Sequence, residues 1–435
     1  MSSVLQDVTV VTEPLVELYK DLHAHPELSF AEHRTAGIVA ERLRAVGLDV
    51  IEGIGRTGVA GVLRNGEGPT VLLRADMDAL PVLEDTGLDY ASTARGTDPE
   101  GNDVPVMHAC GHDVHVVSLL GATQLLAQHA ADWSGTLVVV FQPAEELGGG
   151  AQAMVDDGLY ERVPRPDVVL GQHVAPAPAG LVGAHPGAAF AGADAFQVRL
   201  FGRGGHGSRP ETTVDPVVMA ASTVMRLQTV VSREVAGSDT AVVTVGQLQA
   251  GTKSNIIPDE AVLGLSIRSA SVPVRTRVIE AVHRIIRAEA QASGAEREPE
   301  ITAAESFPVL VNDPDATSRV VGAFQAAFGD GRVIAPGAVT GSEDVSILST
   351  AAGVPLVYWL LGGADPEQFA AAASRGTTLS DIPSNHSPHF APVIRPTLDT
   401  GVAALAVAAL EWFGPEGFTP ERSRTDTADT AGSNG

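Results

Sequence analysis

Three apolar segments constrain the fold of this chain more than any other feature. TVLLRAD (70–76), GTLVVVFQPAEE (135–146) and DVVLGQHV (167–174) each contain an apolar run and end in polar side chains. A helix is predicted over 113–129, between the first two segments, and the pattern returns in VPLVYWLL (354–361). Continuous apolar strands that alternate with helices are typical of a mostly parallel sheet covered on both faces. We therefore predict an α/β fold.

The sequence between about 190 and 305 follows a different pattern. Its predicted order is strand, helix, two strands, helix and strand, over 194–202, 214–233, 240–250, 258–269, 274–293 and 298–305. That β-α-β-β-α-β order is the one found in ferredoxin-like α+β domains. We therefore predict a main domain in two parts, an inserted ferredoxin-like domain and a disordered polar tail: 1–188 and 306–414, 189–305, and 415–435.

Both ends of the main domain are predicted to be helical. Leucine spacing within 12–46 predicts two helices separated by the loop DLHAHPELSF, and a final helix is predicted over 397–413. Asp113, at the start of the helix over 113–129, is the expected N-cap, because its carboxylate can accept from a free backbone N–H.

Composition excludes several classes of protein. The 435 residues include 53 Asp and Glu but only 28 Lys and Arg, so the formal net charge is −25 and no nucleic-acid partner is expected. The N-terminus has no basic leader, and no apolar run approaches the ~18 residues of a membrane span. Cys110 is the single cysteine, so no internal disulfide can form. We expect no membrane partner and a cytoplasmic location.

The segment MHACGHDVH (107–115) has the densest set of metal-binding side chains. His108, Cys110, His112 and His115 fall within eight residues, and a thiolate beside imidazoles is a typical transition-metal ligand set. Taken alone, the segment also fits a helix start with incidental histidines.

Other polar side chains follow the predicted strands. Asp76 and Asp78 are expected just past the end of the first strand, Glu145 and Glu146 just past the second, and His173 just past the third. Any one of them is more often a solvated loop residue. Because sites in open α/β sheets assemble at the carboxyl ends of strands, the combination favours a catalytic metal centre.

The adjacent pair Glu145 and Glu146 suggests a division of roles. Neighbouring side chains on a loop usually point apart, so one can bind a metal ion while the other accepts a proton from activated water. The carboxylates, imidazoles and thiolate together provide enough ligands for two ions.

Three further segments contain candidate site residues. NHSPHF includes His386 and His389, the glycine-rich turn GRGGHGSRP includes His206, and Asn255 and Arg268 lie on or beside strands of the inserted domain. Arg268 can bind a carboxylate through its planar guanidinium group. Each of them also fits an ordinary loop or surface residue.

Taken in order, these motifs resemble those of the N-acyl-amino-acid amidohydrolases. This is the hippurate hydrolase and indole-acetyl-amino-acid hydrolase branch of the aminoacylase and zinc exopeptidase superfamily. The resemblance covers about residues 13 to 412 and rests on LHAHPELSF, RADMDALP, MHACGHD, QPAEE, GQH, GGHGSRPE, SNIIPDEA, GSED and NHSPHF. It implies a zinc-exopeptidase-like α/β domain with an inserted ferredoxin-like lid.

The resemblance also implies a binuclear metal centre. Two divalent ions, Zn or Mn with Co or Ni as alternatives, would be bound by a set of five residues in which the cysteine occupies the bridging position. The implied ligands are Cys110, His112, Glu146, His173 and His386.

Further residues acquire implied roles in the same way. Glu145 matches the general base, and Asp78 matches the acid that orients a ligand. His206 matches a lid histidine that stabilises the oxyanion in a partner subunit's active site, and Asn255 and Arg268 match lid residues that bind the substrate carboxylate. A homodimer formed through the lid is therefore expected.

The implied reaction is hydrolysis of the amide bond of an N-acyl or N-aroyl amino acid. A metallo-exopeptidase or dipeptidase on the same scaffold, a thiol amidase with Cys110 as nucleophile, and an inactive metal-binding protein stay as alternatives. Two positions depart from the family pattern. DVHVV (113–117) stands where relatives usually have a Gly and a Thr, and Val345 stands where an aromatic residue is common. Both departures leave the preferred acyl group open.

Overall fold

Two main β-sheets organise the chain. The structure, a computed structural model, describes residues 2–414. The strands of this range are β1 (Asp49–Ile54), β2 (Gly58–Asn65), β3 (Thr70–Asp76), β4 (Arg95–Thr97), β5 (Asp103–Pro105), β6 (Gly135–Gln142), β7 (Val168–Pro178), β8 (Val182–Ala184), β9 (Gly187–Phe190), β10 (Gly192–Phe201), β11 (Gly205–His206), β12 (Ala241–Ala250), β13 (Ile256–Ile257), β14 (Glu260–Ser269), β15 (Glu300–Phe307), β16 (Leu310–Asn312) and β17 (Leu356–Ala364).

The α-helices of the same range surround both sheets. They are α1 (Ser2–Gln6), α2 (Val8–Thr12), α3 (Leu15–Ala24), α4 (His33–Ala45), α5 (His112–Gln128), α6 (Gly150–Asp156), α7 (Leu159–Arg162), α8 (Pro216–Glu234), α9 (Val272–Ala292), α10 (Pro314–Phe328), α11 (Ser346–Ala352), α12 (Pro366–Arg375), α13 (Thr378–Asp381) and α14 (Ile394–Phe413). The predicted tail, 415–435, lies outside the described residues.

The larger sheet has seven strands in the order β1-β2-β6-β3-β7-β17-β8. Its four central strands, β6, β3, β7 and β17, pair in parallel, whereas the flanking pairs are antiparallel. These four are the apolar segments singled out in the sequence, and their burial on both faces explains why they lack alternation. The predicted α/β fold with a mostly parallel central sheet is confirmed.

Helices cover both faces of this sheet. On one face α5 and α14 are buried along almost their whole length and pack closely on each other. A Cβ on Gly121 would approach Val402 Cγ2 to 2.6 Å, and a Cβ on Gly401 would approach Ser118 Oγ to 2.5 Å, so the glycines permit this contact. On the other face α6, α7 and α11 contribute to a smaller apolar core. No helix of the described chain combines the length and hydropathy of a bilayer span.

The second sheet is antiparallel, in the order β12-β14-β10-β15. Helices α8 and α9 pack against one of its faces and bury a separate apolar cluster. The elements follow the order β-α-β-β-α-β predicted from the sequence, with bounds shifted by about two residues. We refer to this sheet with its two helices as the lid.

The expectation that Asp113 caps α5 is wrong. The N-cap of α5 is Gly111, whose φ of +80° suits glycine, and it makes no side-chain capping bond. Asp113 is the second residue of α5 and is buried, and its Oδ2 is 2.6 Å from Nδ1 of His23 on α3. His23 Nε2 also lies 3.0 Å from Glu84 Oε1, so the imidazole is placed between two carboxylates and joins α3 to α5.

This buried contact makes stability depend on pH. Burial lowers the pKa of His23, but its hydrogen bonds to Asp113 and Glu84 outweigh that effect and raise the pKa to about 10. The unfolded histidine has a pKa of about 6.5. Because the pKa of His23 is higher in the folded state, its protonation stabilises the folded protein. This stabilisation is complete at pH values below the unfolded-state pKa, and it is lost as the pH rises through the folded-state pKa.

We therefore predict that the stability advantage of the wild type over His23→Gln is constant below about pH 6.5 and shrinks as pH rises toward 10. Urea unfolding of both proteins across this range measures it, and the subtraction removes the contributions of groups that His23 does not contact. An advantage that stays level or grows between pH 7 and 10 would contradict a charged His23.

A second prediction concerns the loop between β6 and α6. Gly150 begins α6, and a Cβ built on it would lie 1.6 Å from the carbonyl oxygen of Pro143. Gly150→Ala should therefore destabilise the protein by roughly 1–3 kcal/mol, because the loop must shift. Gly37→Ala is the matched control: Gly37 is exposed in α4 with no heavy atom within 4 Å, so alanine should stabilise by about 0.5–1 kcal/mol. Equal unfolding midpoints for both variants would refute the steric argument.

Candidate metal centre and active site

The residues predicted to form the metal centre meet at the carboxyl edge of the parallel strands. Asp78 follows β3, Glu145 and Glu146 follow β6, and His112 is the first residue of α5. The expectation that His173 lies past a strand end is wrong. His173 lies inside β7, because this strand continues beside β17 as far as Pro178.

Two groups of ligand atoms share the cysteine. Cys110, His112 and His173 form one group, and Cys110, Glu146 and His386 form the other; within each, the ligand atoms lie within 4.8 Å of one another. Cys110 Sγ is 3.5 Å from His173 Nε2. This arrangement offers two adjacent binding positions with the thiol between them.

Hydrogen bonds at Nδ1 orient the imidazoles of His112 and His173 next to the cysteine. Nδ1 of His112 donates to the Asp78 carbonyl oxygen at 2.9 Å and lies 3.2 Å from Asp78 Oδ1. Nδ1 of His173 donates to the Val174 carbonyl oxygen at 2.8 Å. Because Nδ1 has the hydrogen in each case, the Nε2 lone pairs are available for a metal ion.

The distant loop with His386 reaches the same point. His386 has a φ of +69°, and its Nε2 lies 3.3 Å from Glu146 Oε2. Its backbone N–H donates to Ala109 at 2.8 Å. Asn385 donates to the carbonyl oxygens of Cys110 and Val174 at 3.2 and 3.1 Å, so one amide ties the loop to both sides of the site.

The donor set fits divalent ions. Among the described residues, His112 Nε2 and Glu146 Oε1 are buried without a hydrogen-bond partner. Burial, followed by the charges of Glu146 and Glu145, raises the pKa of the Cys110 thiol well above its usual range. A thiolate in this position therefore requires a nearby cation, and soft sulfur with imidazole nitrogen suits transition metals.

Asp78 organises the surroundings of the ligands. Its carboxylate accepts from the backbone N–H groups of Glu145 and Glu146 at 3.1 and 3.0 Å, and from Ser29 Oγ at 2.6 Å. Although burial raises its pKa, the contact with His112 outweighs this effect and the net pKa is lowered. Asp78 is thus an anion that orients both the loop and His112.

Glu145 lies beside the ligands in a buried position. Its Oε2 is 3.9 Å from His112 Nε2. Burial raises its pKa well above the usual range, and repulsion by Glu343 and Glu146 adds to the effect. A carboxylate whose proton affinity is raised suits a group that accepts and returns a proton.

The site forms the floor of a cavity of about 610 Å³ between the main sheet and the lid. Arg268 on β14 lines this cavity and donates to Ser342 Oγ at 2.6 Å. His206 on β11 and Asn255 are exposed and do not line this cavity; they lie near each other, since the Gly207 N–H donates to the Asn255 carbonyl oxygen at 2.9 Å. One chain thus brings Arg268 to the site but not His206 or Asn255.

Comparison with known proteins agrees with this geometry. Residues 72–385 match the model of Peptidase family M20/M25/M40. The chain belongs to this family. It is 34% identical to thermostable carboxypeptidase 1 of Saccharolobus solfataricus, over 93% of this chain and 97% of that one. It is 40% identical to hippurate hydrolase of Campylobacter jejuni, over 71% and 78% of the two chains.

A solved M20 structure extends the likeness to the fold. A dinuclear metal-binding peptidase of the M20 family from Bacillus subtilis superposes with a TM-score of 0.71 and 27% identity, covering 93% of this chain and 99% of that one. The resemblance inferred from the motifs is therefore confirmed. As a member of the M20 family, the protein is a hydrolytic enzyme.

A buried charged network that the sequence motifs alone do not predict adjoins this site. Arg74 on β3 is 1% exposed. It donates to Asp76 at 2.7 Å, to Glu343 at 2.9 Å and to Gln142 at 2.9 Å. The motifs RAD, QPAEE and GSED each contain or adjoin one of these residues, and that adjacency was the available signal.

The remaining histidines of the motifs have other surroundings. His115 Nε2 accepts from the Val174 N–H at 2.8 Å and its Nδ1 is 2.5 Å from Asp76, so both ring nitrogens are engaged. His108 is buried without a partner among the described residues, and burial lowers its pKa to about 4. His389 is exposed, and its Nδ1 donates to the Asp85 carbonyl oxygen at 2.6 Å.

The role of Asp78 can be tested through metal affinity. In Asp78→Asn an NH₂ group replaces one oxygen and faces N–H and O–H donors, so the orientation of His112 and the loop is disturbed. We predict that divalent-ion affinity falls by roughly 10–100-fold, as measured by calorimetric titration of the metal-free protein. Ser29→Ala removes one donor to the same carboxylate and should weaken binding much less. Equal affinity in Asp78→Asn and the wild type would exclude the orienting role.

Proposed function

We propose that this protein hydrolyses the amide bond of N-acyl or N-aroyl amino acids and releases a carboxylic acid and a free amino acid. The observation that supports this most is the position of Glu145 beside two ligand groups that share Cys110, on the floor of a cavity with Arg268 in its wall. Cys110, His112, Glu146, His173 and His386 are the proposed ligands of two divalent ions.

Each residue has a defined part in the proposed reaction. The divalent ions, when bound, supply Lewis-acid activation of water and of the amide carbonyl. Glu145 accepts the proton of the attacking water at its carboxylate and then donates it to the leaving amine nitrogen. Asp78 keeps His112 and the Glu145 backbone in place throughout, because its bonds involve groups that do not react.

The cavity fits the two halves of such a substrate. Arg268 is the proposed contact for the carboxylate of the amino-acid half, since a guanidinium group can donate two parallel hydrogen bonds. Phe190, Val339 and Leu360 provide apolar wall for the acyl half. The similarity to a hippurate hydrolase supports an aroyl or acyl amino acid as substrate.

We further propose that residues 189–305 form a lid and dimerisation domain inserted between 1–188 and 306–414. Edge strand β12 and helix α8 expose large apolar side chains, among them Val218, Met225 and Leu248. In such a dimer His206 and Asn255 of one subunit would complete the site of the other. Zn or Mn as the bound ions and a cytoplasmic location belong to the same proposal.

The proposed base has a direct test. Glu145→Gln keeps the shape of the side chain but cannot accept a proton, so kcat should fall by about 10²–10⁴-fold. Metal content, measured by plasma emission spectrometry, should stay at that of the wild type. A chelator should inactivate the wild type, and Mn²⁺, Zn²⁺, Co²⁺ or Ni²⁺ should restore it. A Glu145→Gln variant with unchanged kcat would overturn the assignment.

A substrate panel separates the alternatives. Hippurate and N-acetyl, indole-acetyl and p-aminobenzoyl amino acids should be hydrolysed in preference to free dipeptides. A preference for free dipeptides would favour the exopeptidase reading, which the similarity to a carboxypeptidase also raises. Inactivation by iodoacetamide at saturating metal, together with indifference to chelators, would indicate Cys110 as a nucleophile instead.

A further inference from the structure

The lid sheet presents a distinct face to the active-site cavity. On β14 the side chains of Leu263, Leu265 and Ile267 are buried against the lid helices, so Arg268 points to the opposite face. Arg268 and Phe307 both pair with Ala193 of β10 and therefore share its face of the sheet. Both line the cavity.

A β-bulge adds a third residue to this face. Ala303 pairs with Phe196 and Glu305 pairs with Ala195, so Ala304 is an extra residue in β15. Phe196 faces the helices, and so does Asp194, which accepts from Arg275 of α9 at 2.6 Å.

Without the extra residue, Glu305 would pair with Asp194, and two carboxylates would face the same helix. With it, Ser306 occupies that position and donates to Asp194 at 3.0 Å. A shift of one residue exchanges the faces of a strand, so the bulge turns Glu305 toward the cavity. Glu305 indeed lines the cavity together with Arg268 and Phe307.

Glu305 is available for a ligand. Within residues 2–414 its carboxylate has no hydrogen bond and no ion pair, whereas Glu300, on the same strand, is paired with Arg199 and Arg297. Glu305 is exposed in the cavity wall, so a cation or a hydrogen-bond donor of a bound molecule can reach its carboxylate.

We propose that Glu305 is a specificity residue that binds a cationic side chain on the amino-acid half of the substrate, so that Nα-acyl arginine or lysine is preferred. This inference rests on the proposed function. The amino-acid half is indicated because Glu305 shares the lid face with Arg268, the proposed contact for the substrate carboxylate. The acyl half instead meets the apolar wall formed by Phe190, Val339 and Leu360.

The test compares two substrates of nearly equal shape. Nα-benzoyl-arginine and Nα-benzoyl-citrulline differ in the charge of the side chain, so the ratio of their kcat/KM values reports on recognition of that charge. In the metal-loaded wild type we expect arginine to be preferred by about tenfold, in the range of a hydrogen bond to a charged group. Glu305→Gln should abolish this preference and leave kcat/KM for the citrulline substrate within about twofold. Glu305→Lys should reverse the charge preference, so that Nα-benzoyl-glutamate is favoured over Nα-benzoyl-arginine.

Glu298→Gln is the matched control. Glu298 is exposed just before β15 and does not line the cavity, so the substitution makes the same change in net charge. It should leave the ratio unchanged. An equal change of the ratio in both variants, or no preference in the wild type, would overturn the proposal.

Three outcomes distinguish a failure of this inference from a failure of the proposed function. If Glu305→Gln specifically impairs hydrolysis of free dipeptides, Glu305 binds an α-amino group, and the assignment to the amino-acid side chain is wrong. If the wild type hydrolyses no benzoyl amino acid, the proposed function fails. If Glu305→Gln hydrolyses the citrulline substrate and keeps the wild-type ratio of kcat/KM values for arginine over citrulline, the specificity role of Glu305 is wrong and the proposed function stands.

Discussion

The Asp78 carboxylate is the interaction on which the site depends. It follows a buried parallel strand and accepts from Ser29, from two successive backbone N–H groups of the loop after β6 and from the ring of His112. One anion therefore fixes the ends of two strands, the first residue of α5 and the segment before α4. The carboxylates of Glu145 and Glu146 both approach His112 Nε2, at 3.9 and 3.8 Å, from a loop whose backbone Asp78 holds in place.

Charge balance explains why this arrangement suits cations. Arg74 contacts three of the acids around the site, Asp76, Glu343 and Asp344, whereas Asp78, Glu145 and Glu146 lie beside His112. Arg74 neutralises the lower part of this cluster, beneath the strand ends. The upper part, with Glu145, Glu146 and the thiol, faces the two groups of ligand atoms, where divalent ions would supply the missing positive charge. Metal binding and stability are therefore coupled through the same carboxylates.

The sequence predicts the parts of this structure that follow from local pattern. Apolar runs without alternation predict parallel strands, and the polar residues that follow them meet because the carboxyl ends share one edge. Arg74 is not predicted, since an arginine inside an apolar strand needs acids from distant loops, and their arrival depends on tertiary packing. Asp113 fails as a cap for a related reason: α5 already begins at His112, and the Asp113 carboxylate meets His23, 90 residues away in the chain.

The bulge at Ala304 is equally hidden from the sequence, because EITAAESF alternates no more clearly with the extra residue than without it. Its effect nevertheless reaches the cavity. The ligand groups and the proposed base are fixed by the main sheet, whereas the face of the lid is set by the register of β15. One residue in that register decides whether a carboxylate points to the substrate or to α9. Selectivity can therefore change through the lid while the hydrogen bonds around Asp78 remain as they are.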